Sequence, residues 1–83
     1  MDIKVLGPGC ANCKRLYEEA GEALRQLGIT APITKVEKLE EIAAYKVMMT
    51  PALVIDGQVR AAGRIPTVAE ITTWLATAAM EER

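Results

Sequence analysis

Residues 3–13 read IKVLGPGCANC and join a short apolar strand to the start of a helix. The first four of these residues are β-prone, and the Gly-Pro-Gly run that follows ends the strand. From Cys13 to Leu27, apolar side chains recur every three or four residues, which predicts a helix that stops at Gly28. The two cysteines of the chain, Cys10 and Cys13, therefore lie at the entrance and in the first turn of that helix.

Two thiols at this spacing can close a disulfide or share a soft metal ion. The unpaired N–H groups of the first helical turn, the helix dipole and nearby Lys14 favour a thiolate at Cys10, which we expect to be accessible. Cys13 falls in register with the apolar face of the helix, so we expect it to be partly covered. In disulfide exchange Cys10 would attack the substrate disulfide, and Cys13 would then attack Cys10 and release the reduced substrate. These roles make Cys10 the predicted nucleophile and Cys13 the predicted resolving thiol.

The middle of the chain predicts a second strand and a second helix. Residues 29–37 form a weaker strand with a proline near its start, which places it at a sheet edge. Residues 38–46 predict a short helix with Leu39, Ile42 and Ala43 on its apolar side.

The remainder of the chain predicts a hairpin and a last helix. Residues 52–55 form a continuous apolar strand, and Asp56-Gly57 is a strong turn signal that returns the chain through residues 58–62. Thr67 and Glu70 match the capping box that begins a helix. The predicted element order is therefore β-α-β-α-β-β-α, an α/β fold in one domain over the 83 residues.

Composition excludes several functions. The net charge is -1 and the chain has one Trp, two Tyr and no Phe, which argues against nucleic-acid binding. There is no apolar run long enough for a membrane span or a signal peptide, so we expect a cytoplasmic protein. In the reducing cytoplasm a cysteine pair is more often catalytic, redox-sensing or metal-binding than a structural crosslink.

Three motifs carry a family resemblance: GPGCANC at 7–13, TPALVIDG at 50–57 and Gly63-Arg64. With them the sequence resembles the thioredoxin superfamily, and more closely the small glutaredoxin-like redox-active disulfide proteins of archaea and bacteria. The resemblance implies a thioredoxin-like fold, with a central four-stranded mixed sheet of order 2-1-3-4 and helices on both faces. It also implies that Pro51 is cis and that Thr50 and Pro51 border the cysteines and bind an extended substrate backbone.

The predicted function is thiol–disulfide oxidoreduction on disulfide-containing proteins or small thiols, without a bound cofactor or metal. A flavoprotein reductase or a low-molecular-weight thiol would supply electrons. The Trp-Cys-Gly-Pro-Cys motif of thioredoxin and the Cys-Pro-Tyr-Cys motif of glutaredoxin are both missing, so neither redox potential nor glutathione dependence carries over. The alternatives are a copper- or arsenite-binding protein, in which two thiolates hold the soft ion, and a non-enzymatic redox sensor. Pro8 stands where small copper-binding domains usually carry Met, and the terminal helix also disfavours that class.

Three further residues near the Thr-Pro motif have two interpretations each. Met48 and Met49 could form an apolar rim for substrate, but core packing is the interpretation that we adopt. Gly63 could permit close backbone approach near the site, or serve as a turn glycine before the last helix.

Overall fold

The computed structural model describes residues 1–9 and 11–81, and over these residues it contains one four-stranded sheet and three helices. The strands are β1 (Ile3–Leu6), β2 (Ile33–Val36), β3 (Ala52–Ile55) and β4 (Gln58–Ala62). The helices are α1 (Ala11–Leu27), α2 (Leu39–Ala44) and α3 (Val68–Glu81). Within those two described ranges, no helix combines the length and the apolar character needed to span a membrane.

The strands lie in the order β2-β1-β3-β4, as predicted. β1 pairs parallel with β2 and antiparallel with β3, and β4 runs antiparallel to β3. β2 is at the edge but is shorter than predicted, because the chain around Pro32 lies outside the ladder and the Ile29 N–H instead donates to the Leu24 carbonyl at 3.0 Å. The central position of β1 places Gly7, which follows it, near the middle of one sheet end.

Helices cover both faces of the sheet, which confirms the predicted layers. Because successive strand side chains point to opposite faces, β1 and β3 contribute to two separate cores. α1 and α3 pack on one face, and α2 packs on the other. The first core is centred on Ile3, Val5, Leu16, Leu53, Ile71 and Leu75, and the second on Leu6, Val36, Ile42, Ala52 and Val54.

The predicted buried side of α2 is wrong at two of its three positions. Within α2, all of whose residues are described, Ile42 alone is buried, whereas Ala43 is exposed and Leu39 is 72% exposed. A helix of six residues makes fewer than two turns, so the spacing of three apolar residues does not fix which side faces the sheet.

The hairpin and the capping box form as predicted. Asp56 and Gly57 have φ values of 50° and 81°, as in the type I′ turn that suits a two-residue hairpin. At the start of α3, the Thr67 N–H donates to Glu70 Oε1 at 3.1 Å, and the Glu70 N–H donates to Thr67 Oγ1 at 3.1 Å. Glu70 also accepts a bond from Arg64 Nη2 at 3.0 Å, which ties the helix to the loop after β4.

Candidate active site

Cys13 is the third residue of α1 and faces the sheet. Its side chain is 5% exposed, and the fully buried Leu16 and Ala20 follow on the same side of the helix. The helical register predicted this covered position. Cys10, the predicted nucleophile, lies outside the described residues.

Gly7 marks the point where Cys13 and Thr50 come together. A Cβ built on Gly7 would lie 2.1 Å from Cys13 Sγ, 3.2 Å from Cys13 Cβ and 3.8 Å from Thr50 Cβ. The Cys13 sulfur therefore occupies the space that a side chain at residue 7 would fill, and Thr50 borders the same space. The structure thus brings together two residues that lie far apart in the sequence and that were both predicted for the site.

The segment around Thr50 is held by close packing on Gly63. The Thr50–Pro51 peptide bond is cis, Pro51 is buried, and its carbonyl accepts a bond from the Gly63 N–H at 2.9 Å. A Cβ built on Gly63 would lie 2.9 Å from Met49 Cβ and 3.2 Å from Met49 Sδ. Gly63 is therefore both a turn residue, with φ of 76°, and a point of close approach.

The interpretation of Met48 and Met49 as core residues is wrong. Met48 is 95% exposed and Met49 is 63% exposed. Thr50, which follows them, is also exposed. Met49 packs its side chain on Gly63, and Met48 and Met49 line one surface cavity just before the Thr50–Pro51 segment of the chain. Their position just before the Thr-Pro motif was the sequence signal for the alternative interpretation, an apolar rim for substrate.

A polar cavity of about 180 Å³ borders Cys13. Its lining includes Gly7, Cys13, Lys14, Lys35 and Glu37. The Lys35 Nζ also lies 4.6 Å from the centre of the Tyr17 ring. A water molecule occupies about 30 Å³ of liquid, so the cavity has room for several. Cys13 therefore borders charged groups and water-sized space as well as the apolar core.

The charge pattern of α1 favours an anion at its N-terminus. The first turn of this 17-residue helix, whose residues are all described, contains no acidic side chain and includes Lys14 beside Cys13. The helix dipole and the unpaired N–H groups of a first turn both stabilise a thiolate placed there. The chain has no His, so no imidazole can take over that role.

A mixed sheet of order 2-1-3-4 with helices on both faces, and a Cys-x-x-Cys sequence where the first helix begins, define the thioredoxin-like α/β class. A family model described as a thioredoxin domain matches residues 1–76, and the chain belongs to this thioredoxin family.

Two similar proteins are both named thioredoxin. The protein of Methanothermobacter thermautotrophicus is 37% identical over 71 residues, which cover 86% of this chain and 92% of that protein. The protein of Methanocaldococcus jannaschii is 41% identical over 69 residues, which cover 83% of this chain and 79% of that protein. The family and these relatives make the chain a thiol–disulfide oxidoreductase, an enzyme.

Proposed function

We propose that the enzyme exchanges disulfides through Cys10 and Cys13, with Cys10 as nucleophile and Cys13 as resolving thiol. The Cys10 thiolate attacks one sulfur of a substrate disulfide, and the other substrate sulfur leaves as a thiolate. The Cys13 thiolate then attacks the Cys10 sulfur of this mixed disulfide, which forms the Cys10–Cys13 disulfide and releases the second substrate thiol. The substrate gains two electrons and the cysteine pair loses them.

The observation that carries the proposal is the position of Cys13, in the first turn of α1 with its sulfur against Gly7 and beside Thr50. With 5% of its side chain exposed, Cys13 is poorly placed to attack a bulky substrate disulfide. Its place three residues after Cys10 suits an attack within the chain on a bond already formed at Cys10. The polar cavity beside Cys13 offers a route by which the proton of its thiol can leave to water.

Substrate binding is assigned to Thr50 and Pro51 in this proposal. Thr50 is exposed and borders the same point as the Cys13 sulfur, so a backbone that docks along it reaches the cysteine pair. The exposed Met48 and Met49 add an adaptable apolar contact for substrates of varied sequence. The substrates are disulfide-containing proteins or small thiols in the cytoplasm, and a flavoprotein reductase or a low-molecular-weight thiol returns the electrons.

The test compares wild type, Cys10→Ser and Cys13→Ser. Wild type is equilibrated in thiol redox buffers to measure its potential, and turnover of a protein disulfide is then measured for all three proteins. We expect wild type to form a reversible disulfide and turn over, Cys10→Ser to lose turnover, and Cys13→Ser to stop at a mixed disulfide. Retained turnover in Cys10→Ser would overturn the proposal. Absence of a reversible disulfide, together with tight Cu(I) binding, would favour a metal-binding function instead.

A further inference from the structure

We propose that Gly7 is a positioning residue for the resolving thiol, because its missing side chain makes the space that the Cys13 sulfur occupies. The inference rests on the proposed function, since it concerns the step in which Cys13 attacks the mixed disulfide. The contact is closer than any other that a built side chain would make at a glycine of the described residues, with 2.1 Å between the built Cβ and Cys13 Sγ.

Residue 7 is a glycine for reasons of space. Among the described residues, Gly9, Gly28, Gly57 and Gly63 have positive φ, and Gly7 does not belong to that group. A left-handed backbone conformation is therefore not what requires glycine at residue 7. What forbids a side chain there is the sulfur of Cys13.

Neither backbone can easily retreat from an added methyl group. Gly7 is buried, and its N–H donates to the Val36 carbonyl at 2.9 Å, which extends the pairing of β1 with β2. On the other side, Leu16 and Ala20 anchor α1 in the core with no exposed surface. The Cys13 sulfur would therefore have to move, and reaching ordinary contact at 3.4 Å from the initial 2.1 Å means a displacement of more than about 1 Å.

Displacing the Cys13 sulfur should slow the second step of the reaction, in which Cys13 attacks the mixed disulfide. Attack by Cys13 needs its sulfur in line with the bond between Cys10 and the substrate, and misplacing a reacting atom by about 1 Å can cost about 100-fold in rate. The first step does not use the Cys13 sulfur. We therefore expect Gly7→Ala to slow the resolving step by about 10- to 100-fold and to leave the attack by Cys10 unchanged.

The experiment follows the two steps separately with a symmetric aryl disulfide whose released thiolate absorbs visible light. Reduced enzyme is mixed with an equimolar amount of this reagent. One aryl thiolate is released when Cys10 forms the mixed disulfide, and a second when Cys13 displaces the aryl group from Cys10. Gly21→Ala is the matched control, since a Cβ built there meets no heavy atom of the described residues within 4 Å.

The inference predicts a wild-type first phase and a slowed second phase in Gly7→Ala, with both phases unchanged in Gly21→Ala. If both phases of Gly7→Ala had wild-type rates while Cys13→Ser lost the second phase, the inference would be overturned and the proposed function would stand. Persistence of the second phase in Cys13→Ser would overturn the proposed function itself.

A second measurement applies even where Gly7→Ala folds poorly. The urea midpoint of Gly7→Ala is compared with wild type, and that of the double variant Gly7→Ala/Cys13→Ala with Cys13→Ala. We expect the added methyl to lower the midpoint much less once the sulfur is gone. An equal loss in both backgrounds would show that the sulfur is not what excludes a side chain from residue 7.

Discussion

Replacing Gly63 with alanine should disturb the segment that we assign to substrate binding. Gly63 has φ of 76°, a left-handed conformation that costs a residue with a side chain about 1–2 kcal/mol. The new methyl would also lie 2.9 Å from Met49 Cβ. Because that atom is attached directly to the backbone, relief requires movement of the chain that carries Thr50, by about half an ångström to reach ordinary contact.

The strain and the close contact together should destabilise Gly63→Ala by about 2–4 kcal/mol. Gly28→Ala is the matched control. It has a similar φ of 67°, but a Cβ built there meets nothing within 4 Å in the part of the chain that the structure describes. The control should therefore lose about 1–2 kcal/mol, from the backbone conformation alone. A domain of this size is stable by about 4–12 kcal/mol, so the loss expected in Gly63→Ala is a large part of the total and is readily measured.

Urea unfolding and steady-state kinetics with a protein disulfide measure the two effects. Gly63→Ala should lose more stability than Gly28→Ala and should raise KM, because the displaced segment carries Thr50 and Pro51. Gly28→Ala should keep the wild-type KM. Equal losses of stability in the two variants, or an unchanged KM in Gly63→Ala, would refute the reasoning.

Three further predictions concern stability. Ile42→Ala should cost about 2–4 kcal/mol in urea unfolding, whereas Leu39→Ala should cost less than about 0.5 kcal/mol; comparable losses would mean that α2 faces the sheet differently. Thr67→Ala should lose about 1 kcal/mol of stability through the lost helix cap, and an unchanged melting temperature would contradict this. The Arg64 guanidinium, followed by the Thr67 N–H, holds the pKa of Glu70 below its ordinary value. The resulting stabilisation is present above the unfolded pKa of 4.5 and is lost as pH falls through the folded pKa, so Glu70→Gln should lose stability near pH 7 and show a weaker decline with acid. If the stability of Glu70→Gln fell with acid as steeply as that of wild type, this would argue against a stabilising pair between Arg64 and Glu70.

The order of strands and helices along the chain was predictable because its strong signals are local, whereas the strand order 2-1-3-4 within the sheet came from the family resemblance. The apolar run of β3, the Asp56-Gly57 turn and the capping box at Thr67 each need only a few adjacent residues to form. The side of α2 that faces the sheet was not predictable, because six residues give too little periodicity and tertiary packing decides between Leu39 and Ile42.

The candidate site shows the same difference between local signals, which sequence can predict, and tertiary contacts, which it cannot. The helical register of Cys13 is a local signal and predicted its burial correctly. The approach of Thr50 to the cysteine motif came from the family resemblance alone, since the two lie in distant parts of the sequence. Close approach at Gly63 was one of two interpretations of the sequence, but the sequence could not name Met49 as the side chain that makes it. The space at Gly7 was not predicted, because it is defined by the side chain of Cys13, which belongs to another element.

The central claim is that Cys10 attacks and Cys13 resolves, and the most direct measurement is the covalent state of each single-cysteine variant. Cys13→Ser and Cys10→Ser are incubated with a disulfide-bonded peptide, quenched with acid, digested and analysed by mass spectrometry. The account predicts that the peptide adds rapidly to Cys10 in the Cys13→Ser variant. It predicts far slower addition to Cys13 in the Cys10→Ser variant. Equally rapid adduct formation on Cys13 would contradict it.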